Sequence, residues 1–206
     1  MFIAIPHSTS LILGGRPYVT WAIMAICLII HILASASESL MYFPDTWNPF
    51  TMLTASVAHA DWEHIIFNLI FFYAFSPMVE MAIANAKRFI LALMAIAFAV
   101  GTTYSLFSLI TGDYFPTLGL SGVVFGVVGL SAYLLPRARV VTFVWFLAFA
   151  RNIYIPAWIL AVWYIGEDIL DMYEYGMSTG INFISHISGG IAGYMIGYFY
   201  FGEHKK

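Results

Sequence analysis

The sequence predicts an all-α membrane protein, a six-transmembrane-helix bundle forming a single domain over residues 1–206. Three observations lead there. Hydrophobic residues make up 62% of the chain and charged residues 9%, with a mean hydropathy of +0.87, far from the balance of a water-soluble domain. The apolar residues gather into runs of bilayer length, about 17 to 25 residues each. When six such runs are threaded from a cytoplasmic N-terminus, all eight lysines and arginines fall on the cytoplasmic side.

The runs are 18–34, 62–84, 89–111, 117–135, 154–170 and 183–201. The first follows Arg16 and ends in "ASA" (Ala34 to Ala36), which a signal-peptidase site also resembles. The five runs behind it make it an anchor instead. A further apolar stretch, "VVTFVWFLAFA" at 140–150, is half a span bracketed by Arg139 and Arg151, and is expected at the membrane interface or in a surface loop. If it crossed, Lys205 and Lys206 would be thrown outside. With six crossings they join Arg16, Lys87, Arg88, Arg137, Arg139 and Arg151 inside, both termini are cytoplasmic, and the acids Glu38, Asp45, Asp61, Glu63, Asp113, Glu167, Asp168, Asp171 and Glu174 lie outside.

The formal charge of −3 and pI near 6.0 exclude the clustered basic surface that a nucleic-acid partner needs. Cys27 is alone, so no intrachain disulfide forms, and it is expected as a small packed or lipid-facing side chain. The compact chain without targeting extensions points to a bacterial inner (cell) membrane.

This topology aligns polar residues that a bilayer otherwise excludes. The second, fourth and sixth runs all pass from outside to inside, so their first turns share one depth, roughly 5 to 12 Å below the outer surface at 1.5 Å per residue. The second begins "HADWEHIIFN", with His59, His64 and Asn68; the fourth carries Ser121 a turn inside its start; the sixth opens "NFISHISGG", with His186. Gly122 and Gly126, and Ser185, Gly189, Gly193 and Gly197, recur as small-xxx-small ribbons that allow two helix backbones to approach. Those ribbons would bring Ser121 and His186 together.

A serine hydroxyl becomes nucleophilic when a neighbouring base takes its proton, and neutral histidine is the usual base. Acyl transfer also needs donors aimed at the oxyanion. His64 and Asn68 are i and i+4, on one helical face, and each can donate; the Ser121 peptide N–H is a third candidate if "GLSG" (Gly119 to Gly122) leaves first-turn amides unpaired. Each residue has a plainer reading. "GLSG" arises by chance in glycine-rich helices, intramembrane histidine and asparagine often act as interhelical glue, His59 reads equally as a loop histidine, and His31 as structural. The set at a shared depth is what singles them out.

Rival chemistries fit poorly. A zinc protease wants H-E-x-x-H, whereas His59 and His64 are five apart, so no metal is expected. Paired catalytic aspartates would need opposed helices, yet Asp168 and Asp171 share one. No lysine lies within a run, which removes a serine–lysine dyad, and a transporter would be expected to show an inverted repeat or a midplane acid.

"HADWEHIIFN", "GLSG" and "SHISGGIAG", in that order on alternate helices, closely resemble the rhomboid family of intramembrane serine proteases, over about residues 18–201. The resemblance implies Ser121 as nucleophile and His186 as general base, with no cofactor. His64 and Asn68 match the oxyanion-stabilising side chains, His59 the first histidine of its motif, and Gly119, Gly122 and Gly189 support the site. Glu80 resembles a buried structural polar residue, residues 35–61 a half-submerged loop, and the fifth helix a lateral gate. The partners implied are single-span membrane protein substrates within the lipid bilayer. A proteolytically silent rhomboid-like protein that binds membrane clients is the alternative, and possession of both Ser121 and His186 argues against it. Two departures stand out: the first loop, "WNPFTMLTASVAH", lacks the family's frequent arginine, and Phe125 replaces a frequent tyrosine beside the catalytic imidazole.

Overall fold

The computed structural model describes residues 2–9, 14–146, 149–176 and 180–202; Lys205 and Lys206, used in the charge argument, lie outside them. Helix α1 (Tyr18–Ala34) and helix α7 (Phe183–Phe201) occupy the predicted bounds. Between them run α2 (Pro49–Ala55), α3 (Trp62–Ile83), α4 (Ala86–Thr111), α5 (Ser121–Leu134) and α6 (Ala157–Tyr175). By length and composition α3 and α4 are each able to cross a membrane, while α1 and α5 are apolar but shorter.

The expectation of an all-α chain is corrected. Strands β1 (Phe2–Thr9), β2 (Arg139–Phe146) and β3 (Phe149–Pro156) form an antiparallel sheet in that order. The described residues of the apolar stretch, 140–146 and 149–150, therefore lie in two paired strands and not in a helical crossing. Val140, Thr142 and Val144 are buried while Phe143 between them is exposed, the two-residue period of a strand with one covered face. Eight residues, all but Arg139 β-branched or aromatic, are too few for a helical span and suit a pleated surface. The sheet packs on α3 through β1.

Two helix starts also differ from expectation. The fourth helix begins at Ser121, so this residue opens the helix rather than lying a turn inside it. Residues before it are kept extended by paired hydrogen bonds between Tyr42 and Thr117, 2.9 Å each way, and by Gly119 at φ +126°. Helix α6 starts after Pro156 and continues to Tyr175, beyond the expected end at 170, which takes Asp171 and Glu174 as well as Asp168 into regular helix.

Long-range contacts fix the antiparallel order. Pro17 leaves the start of α1 without a capping side chain, and Glu80 from the end of α3 supplies one: its oxygens accept from Val19 N at 2.9 Å, Thr20 N at 2.8 Å and Thr20 Oγ1 at 2.7 Å. A carboxylate there meets the positive end of the helix dipole. Arg88 at the start of α4 lies over the rings of Tyr200 and Phe201 at the end of α7, 5.0 and 5.1 Å from their centroids. Arg16, Lys87, Arg88 and Arg137, at or beside the ends of α1, α4 and α5, thus sit at one end of the helical bundle, and the first turns of α3, α5 and α7 at the other.

The main core runs through Phe72, Phe75, Phe89, Ile96 and Val127, with Cys27 packed into it. A smaller one, Tyr42, Met52, Ala55 and Tyr104, anchors the loop 35–61 without an arginine. Tyr42 hydrogen-bonds Ser105, whose hydroxyl donates to the Pro44 carbonyl at 2.7 Å, and Met52 fills the space left open by Gly101. Large apolar side chains stand exposed on the outer faces of α1, α4, α6 and α7, Leu33 at 78% and Ile110 at 85% among them, far more than water tolerates on a monomer.

Candidate active site

Ser121, His186, His64 and Asn68 line one cavity of about 730 Å³. Its walls come from α3, α4, α5, α6 and α7.

Helices α5 and α7 meet backbone to backbone. A Cβ on Gly189 would collide with the Gly122 carbonyl, one on Gly193 with that of Gly126, and one on Gly129 with that of Gly190. Glycine is required at this seam because any side chain would push the helices apart. Ser121 adjoins Gly122, and His186 lies one turn before Gly190, so both side chains project from a pair of helices with no slack between them. At the head of α7 the Asn182 carboxamide accepts from Ser185 N at 3.0 Å and donates to Thr117 Oγ1 at 3.3 Å, tying the cap of one helix to the lead-in of the other.

The lead-in to Ser121 needs Gly119 for two reasons. Its φ of +126° is a region that side-chain-bearing residues avoid, and a Cβ there would lie 2.7 Å from His64 Nε2. Its N–H donates to the Ala55 carbonyl at 2.8 Å. No side chain caps α5, whose N-cap is Leu120, so its first amides are left without intrahelical partners.

The two α3 residues differ in their surroundings. Asn68 is 5% exposed and uses one Nδ2 hydrogen on the His64 carbonyl at 2.9 Å, leaving the other for the cavity. His64 is held at its backbone, where N–H donates to Asp61 Oδ1 at 2.8 Å and starts the helix.

His59 is not in the cavity. It is fully buried, edge-on to His64, and its Nε2 accepts from the Leu120 N–H at 3.4 Å. Burial pushes its imidazole down to about 4, with His64 and His31 adding to the shift, so at neutral pH the ring is uncharged and its nitrogen is free to accept. This residue braces the peptide just before Ser121. His31 is likewise buried, edge-on to Trp62 at 4.6 Å.

Phe125, one turn after Ser121, stacks on His186 with centroids 4.4 Å apart and planes 11° from parallel. The ring alone makes that contact. The other face of the site holds a residue that the sequence reading set aside: Asp168 Oδ2 lies 3.1 Å from His186 Nδ1, both side chains only about an eighth exposed, at 12% and 13%. The available signal was an acid inside an apolar run, which is costly in lipid unless it has a partner.

A helical bundle with an apolar exterior, and a serine and a histidine facing one internal cavity, belongs to the class of polytopic membrane proteins with a candidate hydrolytic site. The rhomboid domain family matches residues 46–203, and the chain belongs to the rhomboid family, hence to the membrane proteins. Over 119 residues it is 34% identical to the rhomboid protease GlpG of Serratia proteamaculans (strain 568), covering 53% of this chain and 41% of that relative. The chain thus spans about two-fifths of the length of this curated relative.

Proposed function

We propose that this chain is an intramembrane serine endopeptidase that cuts transmembrane segments of single-span membrane proteins, with Ser121 as nucleophile and His186 as general base. The observation that carries the reading is that both residues line one cavity from helices locked together along a glycine seam. Kinship with a rhomboid protease supports the reaction class.

In this mechanism His186 Nε2 accepts the Ser121 proton as Oγ attacks the substrate carbonyl, a transfer worth about 10² to 10⁴ in rate. Charge developing on the carbonyl oxygen is met by His64, by the free Asn68 amide hydrogen and by the first-turn amides of α5. The proton then passes to the departing amine as the C–N bond breaks, and water, activated by the same imidazole, hydrolyses the acyl-enzyme. Water reaches the site because α5, with 14 residues, rises only about 21 Å, short of a hydrocarbon core of about 30 Å, and the cavity lies above its start. Helices α1 and α3 to α7 span the membrane with the basic end cytoplasmic. An intact substrate helix hides its carbonyls in hydrogen bonds, so small, helix-weakening residues are favoured at the cut.

The test is covalent labelling by a serine-directed phosphonate, with cleavage of a generic transmembrane substrate in parallel. Wild type is expected to be labelled at Ser121 and to cleave; Ser121→Ala abolishes both, and His186→Ala suppresses both. Equal labelling of His186→Ala would remove the dyad. A wild-type protein that neither labels nor cleaves would identify it as a silent client-binding member.

A further inference from the structure

We propose that Asp168 is a positioning residue for His186, converting the serine–histidine pair into a serine–histidine–aspartate arrangement whose third member comes from α6. The inference rests on the protease reading above and adds to it a residue that neither the motifs nor the family match assigns.

An imidazole can take a proton from serine through one nitrogen only if that nitrogen is bare and aimed at the hydroxyl. Two things must therefore be controlled: which nitrogen carries the hydrogen, and how the ring is rotated. Phe125 stacks on the ring face at 4.4 Å and restrains its plane. Stacking cannot distinguish the two nitrogens, because both lie in that plane.

Asp168 makes the distinction. A carboxylate only accepts hydrogen bonds, so Oδ2 at 3.1 Å requires the hydrogen on Nδ1 and leaves Nε2 as the basic atom. When Nε2 takes the Ser121 proton, the resulting imidazolium lies against a carboxylate on a side chain only 12% exposed and thus weakly screened by water. The proton moves from Ser121 Oγ to Nε2 and onward to the leaving amine; Asp168 gains none.

The alternative role for such a pair is to join two helices. Two observations speak for positioning. The oxygen meets the ring nitrogen of the residue proposed as base, beside the cavity where Ser121 lies. And α6 already has apolar attachments, through Leu160 and Ala161 in the core and through Ile165 packed over Gly190 of α7. The titratable neighbours are His64, which faces His186 from α3, and Glu167 and Asp171, which flank Asp168 on α6.

The test compares wild type, Asp168→Ala and Asp168→Asn in proteoliposomes, with Ser121→Ala as reference. Histidine ¹⁵N shifts, assigned to His186 by their loss in His186→Ala, report the tautomer independently of cleavage. The expected result is a wild-type Nδ1–H form, a mixed or Nε2–H form in Asp168→Ala, and a kcat at least about tenfold lower in both variants with KM within about twofold. Asp168→Asn preserves volume, so its loss of turnover separates charge and tautomer control from packing. Cleavage by Ser121→Ala would overturn the protease reading itself. Abolished cleavage in Ser121→Ala, together with wild-type kcat in both Asp168 variants and an unchanged Nδ1–H signal, would overturn the role of Asp168 and leave the dyad standing.

Discussion

His186 is held on two sides by different means. Towards α5, besides the Phe125 ring stacked on the imidazole, the helix that carries His186 is held backbone on backbone, glycine against carbonyl, with no rotatable bond between the two helices. Towards α6 it is one carboxylate oxygen on one ring nitrogen, at the ends of two side chains. The first contact places the base; the second chooses its proton-bearing atom. A backbone contact can be lost only by moving a helix, whereas a side-chain contact can be lost by one rotation, so damage to the two sides should differ in kind as well as size.

The largest effect is expected at the seam. Gly193→Leu puts a side chain into the Gly126 carbonyl, and since overpacking an ordinary core already costs about 1–3 kcal/mol, loss of the folded state is expected. Gly166→Ala on α6 is the matched control: no neighbouring atom lies within 4 Å of a Cβ there, and the change favours helix by about 1 kcal/mol. Thermal unfolding in detergent measures both. A Gly193→Leu protein as stable as wild type would erase the contrast between the two sides.

The next effect lies on a wall that touches neither side of the base. Asn68→Ala removes a proposed oxyanion donor, for a loss of about 2.7–4 kcal/mol of transition-state stabilisation, or 10² to 10³ in kcat, with KM nearly constant. Steady-state cleavage by a variant of wild-type stability checks it; a raised KM with intact kcat would make Asn68 a packing residue.

The smallest effect concerns the ring face. Phe125→Tyr keeps the stack and should leave turnover within about twofold, while Phe125→Leu forfeits about 0.5–1.5 kcal/mol of ring contact, at most about tenfold in rate. Equal rates for all three proteins would show that Asp168 alone orients the imidazole.

What could be foreseen from the sequence follows the same division. The α5–α7 approach was legible because glycine at four-residue spacing states the contact on both partners. The bounds of α1 and α7 were legible because apolar runs ended there in charges or in a capping asparagine. The start of α5 was not, since the Tyr42–Thr117 pairing that keeps its lead-in extended joins residues 75 apart. Nor was the sheet, whose β1 and β2 lie at distant points of the chain and whose alternation is diluted by apolar residues on both faces. Asp168 was visible as an acid in an apolar run, but its partner depends on the rotation of α6 about its own axis, which no local pattern records.

The capping of α1 by Glu80 has a consequence in time. Val19 and the carboxylate that receives its amide are 61 residues apart, and at a synthesis rate of about 5–20 residues per second the amide precedes its acceptor by roughly 3 to 12 s. For that interval the first turn of α1 depends on water for its hydrogen bonds, and Glu80 enters the membrane environment with its partners already waiting. The first helix is therefore completed by the arrival of the end of α3, and this tie can form before the residues of the site on α5, α6 and α7 have been made.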